Sequence, residues 1–288
     1  MDVRQITATG TEALNLATAL LQRARLADPF AGVFEAADLQ WCWRMPRETD
    51  SLGKTFWLDD DGPVAGVLLT SFTEARWQID PVIVPRNEVI DSRTVWDNVM
   101  ASVANYPRIG FDIPISTDDA VFSDLAQASG LFAADQDTTG WMNAEDAPKI
   151  ATFAEGFRIM DRSHRQETLH PMSGRNGESL EERLHQCSLY DPALDLSVEA
   201  PDSRVAGYSL YWFDPVTAVG LVEPVRIHDE FQRKGLARTM LTHGIGRLVS
   251  MGAERIKVSW ETEAAGSLYQ SAGFTPQSVT SWYSNQRR

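Results

Sequence analysis

The second half of the chain shows three different patterns of apolar positions within about forty residues. Residues 220–227, Gly-Leu-Val-Glu-Pro-Val-Arg-Ile, are a strand-like run that predicts a strand. Residues 236–249 place apolar side chains three and four positions apart, which predicts an amphipathic helix, and Gly252 is placed to end it. Residues 255–260 then alternate apolar and polar side chains and predict a second strand. The expected order is therefore strand, helix, strand.

Hairpins are predicted ahead of this segment and again in the first half. Residues 196–199 and 205–213 have strand character and flank a turn at 201–203. In the first half, the acidic turn 59–62 has the same position between two strand-like runs. Each half of the chain thus predicts several antiparallel strands accompanied by helices.

The two halves also repeat each other in sequence. Residues 79–84 parallel 222–227, and residues 125–130 parallel 268–273, both at an offset of 143 (222 minus 79). A constant offset over this length indicates a tandem duplication. We predict an α/β (α+β) protein with two units, 1–150 and 151–288, each a mixed, mostly antiparallel sheet flanked by helices. Residues 146–156 lack periodicity and are the predicted linker.

Candidate chemistry is concentrated in the hexapeptide Gln232 to Ala237, which joins the predicted strand to the predicted helix. A helix N-terminus offers unpaired N–H donors and partial positive charge, so it can hold a pyrophosphate. Gly235 allows close approach to the backbone. The candidate ligand-contacting residues are Gln232, Arg233, Lys234, Gly235, Leu236, Ala237 and Arg238. A basic turn that merely starts a helix is the alternative interpretation.

A second motif lies downstream, where residues 262–274 end in Ala-Gly-Phe and contain Tyr269. Together, the hexapeptide (Q-x-x-G-x-A) and this helix resemble the acyl-CoA-dependent N-acetyltransferases of the GNAT superfamily over residues 196–274. The resemblance implies acetyl-CoA as co-substrate. Three departures are Thr262, where that family usually has Asn, Ala237 in place of Gly, and Gly266 within the helix. The tandem layout is similar to that of the mycothiol synthases.

The resemblance implies roles for further residues. Strand residues Val225, Arg226 and Ile227 would pair with the pantetheine arm, and an amide near Val225 would donate to the oxyanion. Tyr269 would protonate the leaving thiolate, whereas the alternative is a plain amphipathic core tyrosine. Thr262, which can cap its helix, and Ser267 would lie near the adenosine end of the cofactor.

Glu223 is the candidate general base. It precedes Pro224, which cannot donate to a neighbouring strand, so we expect the sheet to splay there. A partly buried carboxylate has a raised pKa and can take the proton of an amine or orient the amine. The alternative is a structural carboxylate, and its counterpart Asp80 in the first unit is compatible with that interpretation.

The first unit lacks both motifs. At the same offset, Gln232 to Ala237 correspond to Val89 to Thr94, which contain no glycine and include Asp91. Tyr269 corresponds to Ala126. We therefore predict that 151–288 is the catalytic half and that 1–150 is a degenerate, non-catalytic repeat.

Composition narrows the possible partners. The chain has 288 residues and a net charge of −14, of which residues 1–150 carry −12 (11 Lys/Arg and 23 Asp/Glu), so a nucleic-acid partner is not expected. Neither a secretory signal nor a membrane-length apolar run is recognised, and the two cysteines favour free thiols, which predicts a cytoplasmic protein without membrane attachment. The five histidines lack metal-site spacing, so no metal is expected.

These features predict an N-acetyltransferase that moves an acetyl group directly from acetyl-CoA to a primary amine. An amino sugar or another cationic amine is a candidate acceptor. No nucleophile paired with a base is evident in the sequence, which favours direct transfer over an acyl-enzyme. Two alternatives are a non-catalytic acyl-CoA sensor and a partner-binding module.

Overall fold

The computed structural model describes residues 3–165 and 168–286, which form two compact units. Unit 1 contains residues 3–137 and 278–286, and unit 2 contains residues 138–277. The sequence places the division at 150/151, whereas these units divide at 137/138 and the C-terminal segment returns to unit 1. The predicted linker is part of unit 2, because Ala151 donates to Thr242 Oγ1 (3.0 Å) and accepts from His243 Nε2 (3.1 Å).

Unit 1 contains a six-stranded sheet with four helices. Its elements are β1 (Arg4–Ala8), α1 (Gly10–Ala27), α2 (Ala36–Trp43), β2 (Lys54–Asp59), β3 (Gly62–Thr73), β4 (Arg76–Ile83), α3 (Ser92–Asn105), β5 (Gly110–Ser116), α4 (Ala120–Ala128) and the beginning of β6 (Phe132–Asn143). The strand order is β1-β2-β3-β4-β5, and the sixth position is taken by the end of the last strand, residues 280–284, antiparallel to β5.

Unit 2 repeats this arrangement. Its elements are the end of β6, β7 (Arg158–Asp161), α5 (Ser173–Asn176), α6 (Leu180–His185), β8 (Asp195–Glu199), β9 (Val205–Asp214), β10 (Val219–Ile227), α7 (Leu236–Ser250), β11 (Arg255–Trp260), α8 (Glu263–Ser271) and the start of β12 (Thr275–Ser284). The order is β7-β8-β9-β10-β11, with residues 138–143 of β6 antiparallel to β11.

The matching strand orders confirm the prediction of two similar mixed sheets flanked by helices. The strands, helix and hairpins predicted around residues 196–260 are observed within one residue of their expected ends. In each unit a sixth strand, from a segment outside the repeat's own hairpins, pairs with the fifth and covers its free backbone groups. This pairing explains why the observed unit boundaries differ from the single division predicted at 150/151.

Helix α7 packs its predicted apolar face on the sheet of unit 2. Leu241, Ile245 and Leu248 have no exposed surface. Tyr211 of β9 donates from its hydroxyl to the carbonyl of Met240, in the second turn of the helix, at 3.1 Å, so a buried hydrogen bond also joins the helix to the sheet. None of the described helices is both long enough and apolar enough to cross a bilayer.

Candidate active site

The N-terminus of α7 presents a set of unpaired backbone donors. Gly235 precedes the helix in the left-handed conformation (φ 75°, ψ 0°), and no side chain caps this end. Within the described residues, the amides of residues 233–238 donate to no protein acceptor. A Cβ added at Gly235 would meet no atom within 4 Å, so the approach to these donors is open. Such a helix end fits a phosphate group.

Side chains of the loop support this arrangement in different ways. Gln232 donates to Asp229 Oδ1 (3.0 Å) and to the carbonyl of Ile227 (3.4 Å), which ties the loop to the end of β10. Lys234 Nζ lies above the ring of Phe231, 5.4 Å from its centroid. Arg233 and Arg238 are exposed, whereas the Leu236 side chain is 2% exposed and can offer only its backbone.

In the corresponding loop of unit 1, side chains of the loop itself accept hydrogen bonds from the backbone amides. Asn87 Oδ1 accepts from the amides of Val89 (3.2 Å) and Ile90 (2.9 Å). Asp91 Oδ1 accepts from the amide of Thr94 at 2.8 Å and caps α3. A carboxylate therefore stands at the helix N-terminus where a phosphate would have to bind, and it would repel one.

Strand β10 separates from β11 directly before the loop. The two strands pair in parallel only through residues 219–221, and the register against β9 shifts between Val222 and Val225. Trp212, fully buried on β9, donates from Nε1 to the carbonyl of Glu223 at 2.9 Å and supports the irregular segment. Beyond it, residues 225–227 pair with β9, while β11 diverges on the other side. The predicted splay at Pro224 is thus present.

Tyr269 of α8 lies beside this splay. It is 8% exposed and packs against the rings of Trp260 (5.9 Å) and Phe274 (6.0 Å). Burial raises its pKa, and the charge of Glu223 raises it further, so the hydroxyl keeps its proton at neutral pH. The charge of Glu223 is therefore close enough to Tyr269 to affect its ionisation, and their catalytic roles stay a prediction.

Residues 158–274 match the family model described as Acetyltransferase (GNAT) family. These residues form a GNAT acetyltransferase domain. A search of curated proteins finds no match to the chain.

Solved structures resemble the whole chain. A tandem GNAT protein from the clavulanic acid biosynthesis pathway has a TM-score of 0.69 and 12% identity, covering 98% of both chains. A GCN5-related N-acetyltransferase from Sphaerobacter thermophilus has a TM-score of 0.64 and 14% identity, covering 98% of this chain and 95% of that one. An acetyltransferase from the GNAT family of Colwellia psychrerythraea has a TM-score of 0.60 and 9% identity, covering 98% of this chain and all of that one. At these identities the likeness shows the tandem GNAT fold.

Two departures from the usual GNAT helix motif have structural explanations. Thr262 caps α8 by accepting from the amide of Ala265 at 3.3 Å. Gly266 makes room for Trp260, since a Cβ there would lie 2.6 Å from Trp260 Nε1. Ser267 is exposed on α8, and its contact with the cofactor, like that of Thr262, stays a prediction.

Gly266→Ala tests this packing. Trp260 cannot shift away freely, because its ring also packs against the backbone of Gly140. A Cβ added at Gly140 would lie 2.5 Å from this ring. Overpacking of about 1–3 kcal/mol exceeds the helix-propensity gain of at most about 1 kcal/mol. We expect the GNAT domain to lose about 1 kcal/mol of stability in denaturant unfolding. Gly174→Ala, in α5 with no atom within 4 Å of the new Cβ, is the control and should be neutral or stabilising.

The cysteines offer no alternative nucleophile. Both are free, and burial raises the pKa of Cys42 to about 11 and that of Cys187 to about 12. Neither thiol is ionised near neutral pH, and the thiolate is the reactive form. Within the described residues, no three potential metal ligands are grouped together.

Asp80, the counterpart of Glu223 in unit 1, is a buried acid. It is 2% exposed, and Oδ1 accepts from Gln78 Nε2 at 2.5 Å. Burial, with the nearby charge of Asp38, raises its pKa from 3.8 to about 7. The folded carboxyl therefore keeps its proton well above the pH at which the unfolded one loses it, so stability falls as pH rises towards 7.

Asp80→Asn should remove this loss of stability at higher pH. Between pH 5 and pH 8 the wild type should lose about 2–3 kcal/mol more unfolding free energy than the variant. Chemical denaturation of both proteins at the two pH values measures the difference. Asp60→Asn removes an exposed acid from the β2–β3 turn and should behave like wild type; equal pH dependence in all three proteins would contradict the assignment.

Proposed function

We propose that the chain transfers an acetyl group from acetyl-CoA to a primary amine, with the active site in its C-terminal half. The observation that carries the proposal is the row of unpaired amides at residues 233–238, beside a left-handed Gly235 with open space in front of it. The arrangement fits a diphosphate. The same helix end in unit 1 is closed by Asn87 and Asp91, which favours the second half as the active one.

The splay between β10 and β11 is where the pantetheine arm would lie. There, residues 225–227 retain their pairing with β9. A backbone N–H near Val225 is the proposed donor to the oxyanion that develops during acyl transfer. Arg226 and Ile227 would extend this backbone surface towards the loop.

In the proposed reaction, Glu223 acts as the general base and Tyr269 as the general acid. Acetyl-CoA supplies the acyl group as an activated thioester. Glu223 takes a proton from the attacking amine, directly or through a water, as the C–N bond forms. Tyr269 donates its proton to the sulfur as the C–S bond breaks, and the raised pKa keeps that proton available. Because both cysteine thiols are protonated at neutral pH, direct transfer without an acyl-enzyme is the favoured route.

The proposal also includes a cytoplasmic location and a non-catalytic unit 1. Two free cysteines suit a reducing cytoplasm. In unit 1, Asp91 caps the helix end that corresponds to the N-terminus of α7, and Ala126 stands at the position that corresponds to Tyr269. We assign unit 1 no acetyl transfer.

Two measurements test the proposal. Acetyl-CoA at about 100 times its dissociation constant should raise the free energy of unfolding by about 2.7 kcal/mol, seen as a higher melting temperature. A thiol-release screen should then cover amino sugars, aminoglycosides, polyamines, amino acids and peptide N-termini. No thermal shift would contradict the cofactor assignment. A thermal shift without thiol release from any amine would instead support an acyl-CoA sensor.

A further inference from the structure

Two adjacent residues of β9 point to opposite faces of the sheet and make similar hydrogen bonds. Tyr211 and Trp212 both have no exposed surface. Tyr211 donates to the carbonyl of Met240, and this contact joins helix α7 to the sheet. Trp212 donates from Nε1 to the carbonyl of Glu223 at 2.9 Å. One of two comparable buried hydrogen bonds therefore ends at the proposed general base.

The hydrogen bond from Trp212 reaches a part of β10 that the strand ladders leave without partners. Pairing with β11 ends at Leu221, and the register against β9 has no pair for residues 223 and 224. Pro224 has no N–H to donate. Among the described strands, no ladder pairing fixes this backbone, and Trp212 supplies a hydrogen bond at that place.

Trp212 is itself held by Tyr190, in the segment before β8. The two rings meet edge to face, with their centroids 6.2 Å apart. Tyr190 donates from its hydroxyl to Asp195 Oδ2 at 3.0 Å. Burial and the charge of Asp195 raise the pKa of Tyr190, so the hydroxyl keeps the proton that it donates. The orientation of the Tyr190 ring is thus fixed by a hydrogen bond at its far end.

Asp195 is fixed from a second side by His170. The Nδ1 atom of His170 accepts from the amide of Met172 (3.2 Å), so the ring hydrogen lies on Nε2, which donates to Asp195 Oδ2 (2.7 Å). The side chains of His170 and Asp195 are only 1% and 3% exposed. Buried hydrogen-bonded networks of this kind rigidify their surroundings. The contacts therefore run without a break from His170 through Tyr190 to Trp212.

We propose that Trp212 is a positioning residue for the acetyl transfer: it holds the backbone of Glu223 so that the carboxylate faces the attacking amine. The contacts with Tyr190 keep the indole in place for this task. The inference rests on the proposed function, since Glu223 has the role of general base only there. A displacement of about 1 Å at a reacting group can cost about 100-fold in rate, so a single hydrogen bond to this backbone can have a large effect on turnover.

Trp212→Phe removes the indole N–H, and Tyr211→Phe is its matched control. We expect Trp212→Phe to lower kcat by about 10- to 100-fold for the amine found by thiol release. Acetyl-CoA affinity should stay within about threefold, because the loop 233–238 is unchanged. Tyr211→Phe should leave kcat nearly unchanged. An equal loss of kcat in both variants would indicate core packing alone and would overturn the proposal.

A double-mutant cycle tests whether Trp212 acts through Glu223. In the Glu223→Gln protein the base is already absent, so adding Trp212→Phe should lower kcat by less than about threefold. A loss by the same factor in both backgrounds would show that Trp212 acts independently of Glu223, and the proposal would be wrong. If Trp212→Phe does not fold, Tyr190→Phe takes its place, with an expected loss of about fivefold; an unchanged kcat would then refute the role.

Amide hydrogen exchange followed by NMR tests the same role without turnover. The amides of residues 225–227 should exchange at least about tenfold faster in Trp212→Phe than in Tyr211→Phe, because local opening of the segment becomes easier. Normal turnover with unchanged exchange would overturn the positioning role alone. Absence of thiol release by the wild type with every amine would overturn the acetyltransferase proposal and this one with it, so the two failures are distinguishable.

Discussion

Gly235→Glu should abolish acetyl-CoA binding, with a loss of affinity of at least about 1,000-fold (about 4 kcal/mol). Two effects add. The left-handed backbone (φ 75°) is costly for any residue with a Cβ, by about 1–2 kcal/mol. The new carboxylate would also place a negative charge at the helix end that is proposed to bind the diphosphate. Isothermal titration with acetyl-CoA, and the loss of the acetyl-CoA thermal shift, measure the effect.

Two control variants separate the effect of the new charge from that of backbone strain, and an effect in unit 2 from the same change in unit 1. Gly235→Ala keeps the strain without the charge, and since the added Cβ meets no atom within 4 Å, it should lose only the part due to strain, about 5- to 30-fold in affinity. Ser92→Glu places the same carboxylate at the equivalent position (235 minus 143) of unit 1 and should leave binding intact. If Ser92→Glu removed binding and Gly235→Glu did not, the two halves would have to exchange roles.

Tyr269→Phe should lower kcat by about 100-fold while leaving acetyl-CoA affinity within about twofold. The ring is held by Trp260 and Phe274, so removing only the hydroxyl preserves the packing. The proton donated to the sulfur is lost, whereas the cofactor contacts at the loop are untouched. Steady-state kinetics beside a binding titration separates the two quantities.

The matched control for this variant is a second buried tyrosine of the GNAT domain. Tyr211→Phe also removes one hydroxyl, which donates to the carbonyl of Met240. It should reduce stability by about 1 kcal/mol and leave kcat nearly unchanged. An unaltered kcat in Tyr269→Phe would remove this residue from the mechanism, and an equal loss in both variants would indicate a packing effect.

Much of the site could be predicted because its features are local. The strand-loop-helix around Gly235 and the helix with Tyr269 depend on short spacings, and the structure reproduces their ends. The two strands that separate at Pro224 were predictable from the missing donor of that proline. The predicted contacts with cofactor and substrate stay proposals, because they depend on molecules that the amino-acid sequence does not specify.

Other features could not be read from the chain. Gly266 is a departure from the usual helix motif when read from the sequence. In the structure it makes room for Trp260, which is six residues away in sequence and on another element. Trp212 donates to the Glu223 carbonyl from the neighbouring strand, a contact between residues eleven positions apart that no local pattern predicts. The internal capping by Asn87 and Asp91 depends on side-chain directions that composition does not reveal.

The sequence by itself determined the repeated unit, its fold class and which half carries the glycine-containing loop that we propose binds an anion, because periodicity, glycine placement and constant offset can be read along the chain. Only the tertiary structure decided which strand completes each sheet, that the amides of 233–238 have no acceptor within the described residues whereas Asn87 and Asp91 accept from the corresponding loop of unit 1, and that Asp80 is buried. Those outcomes depend on which distant segments compete for the same backbone donors and the same buried space.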